Sequence, residues 1–211
     1  MVQFLSRLFP ARTERPLSEL LSEQAQLLVQ AADTHSKLLG NSFRERTRIA
    51  PTLHEQSTVA EELSRRTARR LAESLITPYE AELLYDFSLT IADLVDSMEH
   101  TAELLVISQA GALPTPLLDA AKGIERAAEL TVAASWKLND TQDLGDYYIQ
   151  VRKLKRQGDR LVRQALGELY GRGGSTQELL PLHDVARSIQ HTIALQERVA
   201  RITDLLRIKD A

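Results

Sequence analysis

The chain has 211 residues, 43% of them hydrophobic but only 5% aromatic, with Leu, Ala, Glu and Arg prominent. This length suits one large or two small domains, and the composition is that of a helical bundle and not of a β-sandwich. A formal charge of −3 gives no general pull toward nucleic acid or anionic membrane, and the lack of cysteine excludes disulfides, thiolate metal sites and a cysteine nucleophile.

In chain order the periodicity predicts six helices. The first spans about Leu17 to Leu39, with Leu17, Leu20, Leu21, Leu28, Ala32 and Leu39 on one side and Gly40-Asn41 ending it. The second is expected after Pro51, with Leu53, Ala60, Leu63, Leu71 and Leu75 on one face. Thr77-Pro78 then reads as a helix–corner–helix, because Pro suits a first turn and Glu80 and Glu82 complement its dipole. The third carries the cleanest stripe: Leu84, Phe87, Ile91, Leu94, Met98, Thr101 and Leu105. Its steps of three and four mark a helix packed nearly parallel to its neighbours. Gly111 to Pro116 breaks the chain, and an alanine-rich fourth helix follows over roughly Leu117 to Leu138. The fifth runs from about Leu144 to Tyr170, stopping at the glycine-rich 171–175 segment, and the sixth from about Glu178 to Ile208. No apolar run approaches the ~20 residues of a membrane span, and the start lacks a signal peptide's unbroken apolar core. A cytoplasmic protein is therefore expected. Phe4, Leu5, Leu8 and Phe9 suit a cap on the bundle's end better than a membrane or partner contact.

The two halves resemble each other. Adding 98 to the residue number pairs Leu63 with Leu161, Arg65 with Arg163, Leu71 with Leu169 and Leu84 with Leu182. It also pairs Asp86 with Asp184, Ile91 with Ile189, Glu99 with Glu197 and Ala102 with Ala200. Average composition gives roughly three identities over such a window. The expectation is an all-α protein of two tandem three-helix units, residues 1–111 and 112–211, packed as one elongated body.

Catalytic motifs are missing: there is no Gly-x-Ser-x-Gly, no phosphate loop ending in Lys-Ser/Thr and no His-Glu-x-x-His. Gly171, Gly173 and Gly174 follow a helix and read as a connector. The five histidines (35, 54, 100, 183 and 191) are scattered, and His183 beside Asp184 reads as a helix-surface pair. Without a convergent acid, base and nucleophile, no enzyme is expected. Asp93 and Asp96, continued by Glu99 and Glu103, form an acidic run on the third helix that reads first as a solvated face. Carboxylates so spaced are also what helical proteins use to hold hard cations or iron.

Leu71 through Leu84, followed by Asp93-Leu94-Val95-Asp96, resembles the signature of the PhoU-like proteins, and more closely of their short Pit-associated branch. That pattern is an acidic heptad ending in Asp, then Leu-x-x-x-Phe-Ile-Thr-Pro-Phe-Asp-Arg-Glu-Asp-Ile, then a late Asp-Asp-Ile-x-Asp. The specific part covers about residues 61–99, while length, repeat and helix order agree throughout. The resemblance implies two tandem three-helix bundles and a cytoplasmic, non-catalytic regulator of inorganic phosphate transport beside a Pit-type permease. It also implies Glu/Asp-x-x-x-Asp pairs binding multinuclear iron or other metals. Here the first unit carries Ser57 and Glu61, then Ala92 and Asp96, with Asp93 agreeing; the second carries Lys155 and Asp159, then Gln190 and Ala194. The family's corner Arg is Ala81. No strong cofactor is therefore expected, only weak divalent or iron binding, with Glu61, Asp93, Asp96 and Asp159 the surviving candidates.

Positive charge gathers on the fifth helix at Arg152, Lys153, Lys155, Arg156, Arg160 and Arg163, and on the second at Arg65, Arg66, Arg69 and Arg70. A solvated, salt-bridged surface is the plain reading. The functional one takes Arg152, Arg156, Arg160 and Arg163 as a docking face for an acidic loop, lipid headgroups or phosphate groups. Nucleic acid is disfavoured by overall acidity and the lack of interleaved aromatics. The expected function is a regulator contacting a Pit-type phosphate transporter, with a homodimer permitted. The alternatives are a metal-binding helical protein with a reduced carboxylate site, and a structural adaptor whose groove takes a peptide helix.

Overall fold

The structure, a computed structural model, describes residues 16–73, 81–138, 144–171, 173 and 175–210. Among these it is all-helical: α1 (Leu17–Gly40), α2 (Phe43–Glu73), α3 (Ala81–Ile107), α4 (Thr115–Trp136), α5 (Leu144–Gly171) and α6 (Thr176–Asp210), with no strand. The Thr77-Pro78 corner, Leu75 and the Phe4–Phe9 segment lie outside the described residues.

All seven positions of the α3 stripe are buried, and Phe87, Ile91, Leu94, Met98 and Leu105 are wholly inaccessible to solvent. Helix α4 stops at Trp136, two residues short of the expected Leu138. The larger correction is at α2, which begins at Phe43, eight residues before Pro51, so that Pro51 lies inside the helix. Pro51 has no N–H for the preceding turn, which normally favours a helix start. Arg46 holds the earlier turn instead. Its buried guanidinium donates to the carbonyls of Leu38 (3.3 Å), Leu39 (3.1 Å), Ala110 (2.6 Å) and Gly111 (3.0 Å). It thereby caps the free carbonyls ending α1 and ties them to the chain leaving α3.

Helices α1, α3, α6 and α4 form a closed ring of neighbours; α2 packs outside the α1–α3 edge and α5 outside the α4–α6 edge. Every packed pair in one half thus has its counterpart in the other. Burial follows the same repeat. The offset of 98 superposes the buried positions of α2 on α5 and of α3 on α6, as Leu53 on Val151, Phe87 on Val185 and Ile91 on Ile189. Between α1 and α4 the offset is 96, placing Leu20, Leu21, Leu28 and Leu38 on Pro116, Leu117, Ile124 and Ala134.

Buried polar pairs set the registers of the ring, because an unbonded polar atom there is costly. Gln24 Nε2 donates to Ser88 O (3.3 Å) while Ser88 Oγ donates to Gln24 Oε1 (2.7 Å), joining α1 to α3. Ser97 and Thr192, and Thr101 and Ser188, share hydrogen bonds of 2.8 Å between α3 and α6. Gln196 Nε2 donates to Ile124 O (2.8 Å), linking α6 to α4.

Candidate functional site

The repeat builds two equivalent corners, one between α2 and α3 and one between α5 and α6, and they have opposite electrostatic character. The first is an open groove of about 410 Å³, lined among others by Glu61, Ser64, Arg65, Tyr85, Asp93 and Asp96. Three of the four acids read as candidate ligands therefore share one cavity. Burial raises the Asp96 carboxyl above its ordinary pKa, and the negative charges of Glu99, Asp93 and Glu61 raise it further, with His100 partly offsetting them. Like charges so gathered favour any cation that enters. Two of the acids already have partners. Arg65 lies 3.9 Å from Glu61 and 3.3 Å from Glu62, and His54 Nδ1 is 2.6 Å from Glu99 Oε1. That hydrogen bond and charge raise the His54 pKa. Among the described residues no group of three or more His, Cys, Asp or Glu side chains is arranged to hold one metal ion.

In the second corner the cation is part of the chain. Lys155 Nζ lies 2.8 Å from Asp159 Oδ2 and 3.9 Å from Glu197 Oε2, with both carboxylates largely buried. Arg152 and Arg201 also flank Glu197, at 3.8 and 3.9 Å. At the offset of 98 these residues stand where the first corner has Ser57 (Lys155), Glu61 (Asp159), Glu99 (Glu197) and His54 (Arg152). The ammonium thus occupies the carboxylates that a metal would need. Asp159 is consequently separated from Glu61, Asp93 and Asp96 in role as well as in place. This donor set does not fit a metal ion.

The predicted docking arginines divide. Arg152 is engaged, 3.8 Å from Glu197 and over the Tyr148 ring at 5.4 Å. Arg156, Arg160 and Arg163 are exposed, as is Lys153, and none has a carboxylate within 4 Å among the described residues. A second opening, of about 390 Å³, lies between α3 and α6 and is bordered by His100, Asp184, Arg187 and His191. His183 Nδ1 is 3.1 Å from Asp184, the expected surface pair.

Two buried groups escaped the sequence reading, Arg46 and His35. The repeat held a signal for both, since Arg46 falls at the position of the core residue Leu144, and His35 at that of the buried Thr131.

No family model and no curated protein matches the chain. Two solved structures from Shewanella oneidensis MR-1 are similar in fold. A PhoU-like protein superposes with a TM-score of 0.80 at 14% identity, covering 92% of this chain and 100% of its own. A protein described as PhoU-like and phosphate-regulatory gives 0.78 at 15%, with the same coverage. Superposition over 92% of this chain and the full length of each neighbour places this protein in the PhoU-like fold.

Proposed function

We propose that this protein is a non-enzymatic regulator of inorganic phosphate transport, acting by contact with a Pit-type permease. The supporting observation is the likeness, over 92% of the chain, to a solved protein described as phosphate-regulatory. On this reading the cation sites are reduced, supported by the Lys155–Asp159 pair in the second corner and by the first corner's showing no group of three ligands among the described residues. The reading is tested by tagging the protein in its native cell and measuring both co-purification of a Pit-type permease and phosphate uptake after deletion. Recovery of the permease with altered uptake is the expected result. Unchanged uptake with no permease recovered overturns the assignment.

A second reading, a metal-binding helical protein, is favoured by one observation: Glu61, Asp93 and Asp96 line the same groove. Elemental analysis of protein purified without chelator separates the two readings, and a metal-free result counts against the second.

A further inference from the structure

We propose that the outward face of α5 docks on the anionic headgroups of a membrane surface. Lys153, Arg156, Arg160 and Arg163 follow one another by steps of three and four, with Ile149 four residues before and Tyr170 seven after. At 100° per residue these six side chains fall within an arc of about 100°, over a length of about 32 Å. The four cations are exposed and have no carboxylate within 4 Å among the described residues, while Ile149 and Tyr170 are 52% and 61% exposed. Among the described residues helix α5 packs on α4 and α6 alone, and the exposure of all six side chains turns this line away from both.

The repeat supplies an internal contrast. The offset of 98 places Glu55, Thr58, Glu62 and Arg65 of α2 where α5 has its four cations. On α2 the charges cancel locally, as Glu62 lies 3.3 Å from Arg65 and 3.2 Å from Arg69. The same surface position is self-neutralised on one side of the molecule and uniformly positive on the other. A net charge of −3 does not oppose this, because beyond a Debye length of about 8 Å the remaining acids are screened. None of these six residues lines either of the grooves described above. A straight cationic line with an aliphatic and an aromatic anchor at its two ends matches a planar anionic interface. The inference goes beyond the phosphate-regulator reading and does not depend on it.

The test is flotation of the full chain with protein-free vesicles of phosphatidylcholine, with and without phosphatidylglycerol, over a range of salt. The wild type is expected to bind only the phosphatidylglycerol vesicles, and less as salt rises. Each cation removed costs about fivefold in partitioning, so the K153Q/R156Q/R160Q/R163Q variant loses more than a hundredfold. Its melting temperature stays unchanged, because these side chains have no partners to lose. The control R65Q/R69Q variant on α2 keeps wild-type binding. Absence of wild-type binding to phosphatidylglycerol at low salt, or wild-type binding by the quadruple variant, overturns the proposal. Binding to polyglutamate but not to vesicles overturns it too, and reassigns the face to an acidic protein.

Discussion

His35 is fully buried on α1, and neither ring nitrogen has a hydrogen-bond partner among the described residues. Its counterpart in the second unit, Thr131, is satisfied, bonding Tyr147 at 2.9 Å, whereas the residue at the offset of Tyr147 is the apolar Ile49. Burial alone pushes the His35 pKa down from 6.5 to about 4. The unfolded chain therefore binds this proton more readily than the folded one, so stability is full above pH 6.5 and falls as the pH drops toward 4. The loss attributable to His35 between pH 7 and pH 5 is about 2 kcal/mol. His54 acts in the opposite sense. Its raised pKa makes the Glu99 bond a contribution present at low pH and lost as pH rises through the folded value. Urea denaturation at both pH values, on wild type and His35→Leu, isolates the buried group. The variant is expected to be more stable at pH 5 and to lack that 2 kcal/mol; an unchanged pH dependence refutes the account. Arg46 belongs to the same scale. Each charge-assisted bond is worth about 1.5–3 kcal/mol, and nothing in the local pattern around Arg46 announces a cation that must be buried.

At the scale of elements, α5 and α6 pack tightly at Gly158, where an added Cβ would lie 2.7 Å from Ile193 Cδ1. The first unit carries Ala60 at the offset of Gly158 and Val95 at that of Ile193. Gly with Ile and Ala with Val hold the same number of side-chain carbons, so the two contacts are alternative fillings of one volume. Gly158→Ala gains helix propensity but must displace Ile193, for a net effect within about 1 kcal/mol. Adding Ile193→Val removes the obstructing methyl, so the G158A/I193V double variant is expected to exceed the single variant in stability by about 1 kcal/mol, read from thermal melts. A double variant no more stable than the single one shows that the contact is not what limits the site. The same helices show what was legible beforehand. The α3 stripe read correctly because seven positions repeat one period without interruption. The start of α2 did not, because Pro51 carries a strong local start signal, and what overrides it is tertiary, the hold of Arg46 on α1 and the chain after α3. The repeat was read at 98, but across α1 and α4 it shifts to 96, where Leu21 and Leu117, Ala25 and Ala121, and Ala31-Ala32 and Ala127-Ala128 coincide and burial agrees.

The two halves of the described molecule share one packing plan, and their corners differ in charge. The candidate ligands were partly legible, since the resemblance to the PhoU-like signature singled out Glu61, Asp93 and Asp96, and the structure adds that they line one groove. The second corner was harder. Lys155 reads as a penalty for a cation site, yet in place it lies 2.8 Å from Asp159 and supplies the positive charge itself. If Lys155 does stand in for a cation, exchanging it for the first unit's residue makes the corner depend on an external one. Lys155→Ser leaves Asp159 and Glu197 with only Arg152 and Arg201 nearby, at a cost of about 1 kcal/mol, a fall of about 3 °C in Tm. Millimolar magnesium or manganese is then expected to restore the variant's Tm while leaving the wild type unmoved, because its own ammonium already fills the space between the carboxylates. Equal cation sensitivity in both proteins would show that the metal acts elsewhere, with the acidic α2–α3 groove the first place to look. A variant that melts lower and ignores the ions would make Lys155 a packing and ion-pair residue without cation mimicry.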